Sequence, residues 1–205
     1  MLVNGLMRSK IYRLAEKLVP GDSEEKQQRE FALRWIESGV EIFRTAKPAT
    51  PDPHLVSYFI LHDPNANQLL LVDHKKSDLW VAPGGHVELN EHPFETVKRE
   101  IREELSIEAN FLLTDPFFLT VMKTTSSIGR HTDVAFWYLL KGNVSELLKY
   151  DEREFHQIGW FFLENIPYHR ADPCLTRFIA KLSSFLVKKI DEKFYWDRFK
   201  GQFQS

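Results

Sequence analysis

Residues 84–107 read GGHVELNEHPFETVKREIREELSI, and the rest of the chain takes its meaning from this stretch. Pro93, with Glu95 close behind it, marks a helix start, and the spacing predicts a helix over Pro93–Leu105. At 100° per residue that helix sorts into three arcs. Phe94, Val97, Ile101 and Leu105 form a core face, and Lys98, Arg99 and Arg102 form a basic arc. Glu100, Glu103 and Glu104 form an acidic arc that holds no basic residue. A helix built only for stability would intersperse opposite charges three or four residues apart. Exposed like-charge pairs cost only about 0.2–0.5 kcal/mol each. In a partly enclosed site, at ~5.5 Å and an effective dielectric of about 20, each repulsion rises to about 3 kcal/mol. A divalent cation reverses that sign, and carboxylate oxygens are the ligands that Mg²⁺, Mn²⁺ or Ca²⁺ prefer. A solvated acidic face carries the same pattern, so the helix alone leaves both readings open. Gly84-Gly85 permits backbone geometry closed to other residues and can bring a carbonyl close to a metal or ligand.

Working outward, strand-like runs precede the stretch at Leu55–Leu61, Gln68–Asp73 and Leu79–Ala82. Further runs follow at Phe117–Lys123, Asp133–Leu140 and Ile158–Phe162. A closing helix is predicted over Pro173–Lys189, with Leu175, Phe178, Ile179, Leu182, Leu186 and Val187 as its buried stripe. Strands around a central helix, with another helix at the end, predict an α/β fold, a mixed sheet between helical layers. At the N-terminus a helix is expected over Ser9–Val19, stopped by Pro20-Gly21. A second is capped by Asp22-Ser23 and carries Phe31, Ile36, Val40 and Phe43 near helical spacing. The expected organisation is an N-terminal helical extension over 1–45 and a proline-rich linker (AKPATPDP) over 46–53. The main domain then covers 54–190, and a tail covers 191–205. The extension's apolar stripe needs a cover, for which a homodimer is the expected solution. Phe194-Tyr195-Trp196 adds a hint of an interface.

The composition excludes several classes. Of 205 residues, 43% are hydrophobic, ample for one packed domain. A net charge of −2 argues against a binder of nucleic-acid duplexes or of acidic membranes. One cysteine, Cys174, excludes an internal disulfide and a Cys-rich metal site, and suggests a reducing compartment. No apolar run reaches membrane-spanning length, so the expectation is a cytoplasmic protein with no membrane partner.

With Pro83 in front, the quoted stretch resembles the Nudix box of the Nudix (MutT-like) hydrolases. That pattern is Gly, five residues, Glu, seven residues, then Arg-Glu-aliphatic-any-Glu-Glu-any-Gly-aliphatic. Gly85, Glu91, Arg99, Glu100, Ile101, Glu103, Glu104 and Ile107 stand in register. Ser106 replaces the last glycine, from which a local change in how the helix ends is expected. The resemblance implies an α/β/α sandwich around a mixed sheet, and hydrolysis of a diphosphate linkage by water attack on phosphorus. It implies Mg²⁺, with Mn²⁺ as an alternative, held by Glu100 and Glu104. Glu103 would be a ligand or lie behind one, and a carbonyl of Gly84 or Gly85 would be an extra ligand. The base would be Glu100 or Glu103, and Arg99 would reach Glu103 to hold a carboxylate in place. Glu91 would support the loop or the helix start.

Glu154, ahead of Trp160, is a candidate for an additional acid, although its run reads equally as a solvated loop. His86, His131 and Lys76 are weaker candidates for substrate contacts, each with an ordinary loop or strand-surface reading beside it. The implied partner is a small nucleoside diphosphate derivative. The alternative is a catalytically silent Nudix-type domain, but such domains usually lose box glutamates, and all are present here. An isopentenyl diphosphate isomerase would need a reactive cysteine upstream of the metal site, where this chain has none.

Overall fold

The computed structural model describes residues 2–47, 50–124 and 131–200, excluding the side chains of 2–4 and 190–200. Helices α1 (Leu2–Lys17) and α2 (Ser23–Glu37) come first, followed by strands β1 (His54–Asp63), β2 (Gln68–His74), β3 (Leu79–Val81) and β4 (Gly84–His86). Helix α3 (Pro93–Leu105) precedes β5 (Phe118–Lys123), β6 (Thr132–Lys141) and β7 (Phe155–Phe162), and α4 (Leu175–Lys200) closes the chain. The sheet runs β3-β2-β1-β6-β5, with β4 beside β1 and β7 beside β2. Among the named strands, β1 and β6 pair in parallel, from His54 opposite Asp133 to His62 opposite Lys141, and the other pairs are antiparallel, so the sheet is mixed.

Alternation along the central strands explains the layers. Leu55, Phe59, Leu70, Val72, Phe136 and Tyr138 face one way, onto α3 residues Val97, Ile101 and Leu105. Val56, Ile60, Leu69, Leu71, Ala135 and Trp137 face the other way, onto Leu175, Phe178, Ile179 and Leu182 of α4. Burial on both faces accounts for the nearly unbroken apolar runs of β1, β2 and β6. The result is the expected α/β/α sandwich. Among the described residues, no helix is long and apolar enough to cross a membrane.

The N-terminal helices are less of an appendage than expected. Ile11, Leu14 and Ala15 of α1, with Ala32 and Ile36 of α2, are buried in the same core as α3. Ile36 and Phe43 of the expected stripe are therefore covered within the chain, whereas Phe31 and Val40 stay exposed. Val40 and Phe43 lie beyond the end of α2, and α1 starts at Leu2 rather than Ser9. Glu25 of α2 is fully buried and accepts the N–H of Leu119 on edge strand β5 at 3.1 Å, so α2 seals an otherwise open backbone edge. Lys181 of α4 reaches the same carboxylate at 2.7 Å. Arg177 of α4 binds both oxygens of Asp22, the N-cap of α2, at 2.8 and 2.9 Å. Helix α4 continues to Lys200, into the stretch read as a tail, while the Phe194-Tyr195-Trp196 side chains lie outside the described residues.

Residues 84–86 form a strand where a loop was expected. Gly84, Gly85 and His86 pair antiparallel with Tyr58, Ser57 and Val56. Gly84 has φ +135°, and a Cβ there would collide with the Ser57 carbonyl and the Tyr58 Cα, so the two backbones approach more closely than a side chain allows.

The expected change at Ser106 does not occur. Ser106 takes the left-handed conformation (φ 56°, ψ 31°) and its N–H bonds the Arg102 carbonyl at 3.1 Å, as a glycine there would. The serine simply bears the steric cost. Ser106→Gly is expected to stabilise the protein by about 1 kcal/mol, a rise of roughly 2–4 °C in thermal midpoint. An unchanged or lower midpoint in a melting curve would contradict this.

Candidate active site

Helix α3 starts at His92, whose ring accepts the N–H of Phe94, with Pro93 in the first turn. Its acidic arc is not one environment but three. Glu103 points outward with 60% of its side chain exposed, Glu100 is 13% exposed, and Glu104 is buried. Of the two readings left open for the arc, the solvated face fits Glu103 and the enclosed site fits Glu104. One of its carboxylate oxygens, Oε2, is buried with no hydrogen-bond partner.

Burial raises the Glu104 pKa well above the ordinary 4.5, and the charges of Glu100 and Glu154 push it further in the same direction. Burial also raises Glu100, against the pull of Arg99. The Glu100 carboxylate lies directly against Gly85, in space that a Cβ on residue 85 would fill. Glu154, just before β7, acts electrostatically on both glutamates, and its carbonyl accepts the Lys75 N–H at 2.9 Å. The candidate additional acid thus shares a field with the buried Glu104 and the half-buried Glu100.

Arg99 organises this group, though mainly through partners other than the expected one. Its Nε and Nη2 grip both oxygens of Glu91 at 3.0 Å, Nη1 binds Glu100 at 2.7 Å, and Nη2 also reaches the His86 carbonyl at 3.1 Å. Glu103 is a looser partner at 3.6 Å. Burial alone would lower the Arg99 pKa, but the Glu91 and Glu100 carboxylates outweigh it and hold the guanidinium firmly charged. Glu91 in turn accepts the Glu88 N–H at 3.0 Å and the Thr96 hydroxyl at 2.8 Å. The fork of one arginine therefore ties loop, strand β4 and helix together.

His86 and His131 come together with His54 and Asp133, a grouping the sequence did not disclose. The His54 ring lies 4.9 Å from that of His86 and 5.0 Å from that of His131. Burial lowers the His86 pKa to about 3 and raises that of Asp133 to about 6, the latter against the opposing influence of His131 and Tyr58. Lys76 sits exposed in the β2–β3 turn, away from these contacts but close enough for its charge to act on His86. A hollow of about 440 Å³ lined by Ile107, Lys141 and Trp160, among others, lies at the opposite end of β1 and β6, and no carboxylate of the acidic arc lines it.

The fold and this geometry agree with what the chain resembles. A family profile described as NUDIX domain matches residues 52–182. Nudix hydrolase 5 of Arabidopsis thaliana is 28% identical over 127 residues, covering 55% of this chain and 40% of that protein. A protein of Lactococcus lactis subsp. cremoris named a probable DHNTP pyrophosphohydrolase is 30% identical over 101 residues, 48% of this chain and 57% of that one. The chain thus spans about half the length of the curated relatives it matches. A NUDIX-family hydrolase structure from Clostridium perfringens superposes with a TM-score of 0.51 at 20% identity, covering 64% of this chain and 97% of that one. A MutT protein structure from Methanosarcina mazei Go1 does so with 0.50 at 21% identity, covering 65% and 94%.

The buried pair makes a pH prediction for chelator-treated protein. Because the folded-state pKa of Glu104 is raised, protonation of this group favours the fold. The contribution is full below about 4.5 and is lost as pH rises through the folded-state value. Glu104→Gln removes that loss, so the variant should melt higher than wild type near neutral pH, with the gap closing toward pH 4. A gap that is constant with pH, or a variant melting lower at neutral pH, would contradict the assignment.

Proposed function

The chain belongs to the Nudix family, and from that premise we propose that it is a divalent-metal-dependent pyrophosphohydrolase. Its substrate is a small nucleoside diphosphate derivative, and its reaction is attack of water on phosphorus at the diphosphate linkage. The observation that carries this is the buried Glu104 carboxylate, with one oxygen unpartnered and with Glu100 and Glu154 acting on it. In its charged form such a group is costly unless a cation completes it. The donors are all oxygen, which suits Mg²⁺ or Mn²⁺. Glu100 and Glu104 would hold the ion, with Glu154 and a carbonyl of Gly84 or Gly85 as further ligands and Glu103 behind them. Bound there, it supplies neutralisation of the diphosphate charge and a lower pKa for the attacking water.

The chain's own groups do the rest. Arg99 holds Glu100 against Gly85 and keeps the Gly84–His86 strand in register with the helix. Of the two glutamates proposed as base, Glu103 is the better placed. It is largely exposed and only loosely paired, whereas Glu100 is committed to Arg99 at 2.7 Å. A cytoplasmic location and a small-molecule partner belong to the same proposal, as does a main domain over 54–190, against which the N-terminal helices pack and past which α4 runs to Lys200.

The test is a phosphate- and pyrophosphate-release screen over nucleotides, nucleotide sugars, dinucleoside polyphosphates and DHNTP, with Mg²⁺ and with Mn²⁺. Turnover should appear with at least one substrate and vanish on exhaustive chelation. On that substrate Glu104→Gln should lower turnover by about 10²–10⁴-fold, while Glu88→Gln, altering a loop residue, should change it much less. Turnover that survives chelation, or a Glu104→Gln enzyme of near-normal rate, would overturn the proposal.

A further inference from the structure

We propose a second metal centre, built from His54, His86, His131 and Asp133, that takes a borderline transition-metal ion, Zn²⁺ by preference. One ligand atom from each of the four lies within 4.8 Å of all the others, and among the described residues this group alone converges so closely. The glutamates of α3 are not part of it.

Three independent features point to an ion rather than to packing. The first is distance. The Nε2 atoms of His131 and His54 stand 3.2 and 3.5 Å from the same oxygen of Asp133, Oδ1. Ligands at about 2.1 Å from a tetrahedral Zn²⁺ are about 3.4 Å apart, so two edges of the tetrahedron are already set.

The second is orientation from outside. His54 Nδ1 is 2.7 Å from the Pro51 carbonyl, an acceptor only, so the proton resides on Nδ1 and the Nε2 lone pair faces the cluster. His131 Nδ1 is 3.1 Å from the Thr124 hydroxyl, and Tyr58 donates its hydroxyl to the other oxygen of Asp133 at 3.2 Å. An outer partner that fixes the tautomer and aim of a ligand is the usual companion of a metal-bound histidine or carboxylate.

The third is what the inner atoms lack. His54 is 0% and Asp133 6% exposed, yet His54 Nε2 and His86 Nε2 are buried without a hydrogen-bond partner, and Asp133 Oδ1 is buried with imidazole nitrogens at 3.2 and 3.5 Å. A lone pair on His54 Nε2 facing a carboxylate oxygen at 3.5 Å is repulsive until a metal ion or a proton lies between them.

Three imidazole nitrogens with one carboxylate suit Zn²⁺ and its neighbours rather than Mg²⁺ or Ca²⁺, which take oxygen. Four protein ligands close the shell, which is the form of a structural site. Its place gives it a role: it would pin β4, whose His86 carbonyl holds Arg99, to the starts of β1 and β6.

The experiment uses the full chain, stripped with chelator and titrated with Co²⁺ and Zn²⁺. Co²⁺ should give the visible absorption of a tetrahedral ion at one equivalent per chain, displaced by Zn²⁺. Glu104→Gln should keep that spectrum. His54→Ala and Asp133→Asn should lose it and weaken Zn²⁺ by more than about 100-fold, beyond the 10–100-fold typical of losing an outer partner. Circular dichroism checks folding, and His131→Gln, at the more exposed margin, gives the same readout if His54→Ala does not fold. No tetrahedral band in wild type, or a band that survives His54→Ala, overturns the proposal. A Co²⁺ signal lost only in Glu104→Gln would place the ion at the glutamates, overturning this inference while leaving the proposed hydrolase function intact.

Discussion

The constraint on which the site depends is the withdrawal of two carboxylates, Glu100 and Glu104, from water into each other's field. Folding alone cannot make this favourable, because burial and mutual repulsion both disfavour the charged forms. The cost is imposed by helix geometry. Glu104 is three residues past Ile101 and seven past Val97, so docking the core face of α3 carries Glu104 inward with it. Arg99 balances part of the charge through Glu100, but it is also bound to Glu91 and to the His86 carbonyl. Among the described residues, no cationic side chain binds the Glu104 carboxylate.

The Gly84–His86 strand joins the candidate catalytic group to the sheet. On one side Gly85 lies against Glu100, and on the other Gly84 packs its backbone onto β1. His86, one residue on, belongs to the histidine cluster while its carbonyl anchors Arg99. The placement of Glu100 is thus tied through one short strand to β1 and, through His54 and Asp133, to β6. The same economy appears in α2, whose Glu25 seals the β5 edge and pairs with α4.

Much of this was legible in the sequence, because the strong signals are local. Helix α3 was readable at both ends from Pro93 and from the 3.6-residue spacing of its apolar face. The sheet between helical layers followed from the order of strand-like and helical runs, in agreement with the family resemblance. What escaped was the product of pairing across distance. The strand character of Gly84–His86 comes from its register with Val56–Tyr58, and two glycines beside a proline give no propensity signal for it. The stripe of α1 and α2 looked unpartnered because its cover, the β5–β6 face, lies about a hundred residues away. His54 went unremarked for the same reason. Only the parallel register that sets His54 opposite Asp133, and the antiparallel one that sets Val56 opposite His86, brings residues from three parts of the chain to one point. The depth of Glu104 was left open because spacing alone does not tell a solvated arc from an enclosed one, and this arc straddles the boundary of the core.

The central claim is that the Glu100–Glu104 pair is built for a divalent cation. It is tested most directly by the thermal midpoint of chelator-treated protein as Mg²⁺ is added near neutral pH, without substrate. An ion bound only to the folded state at a hundred times its dissociation constant adds about 2.7 kcal/mol, a rise of several degrees. The account predicts a saturable rise of that order in wild type and in Glu88→Gln, and little or none in Glu104→Gln. A wild-type midpoint indifferent to Mg²⁺, or an equal rise in Glu104→Gln, would contradict it.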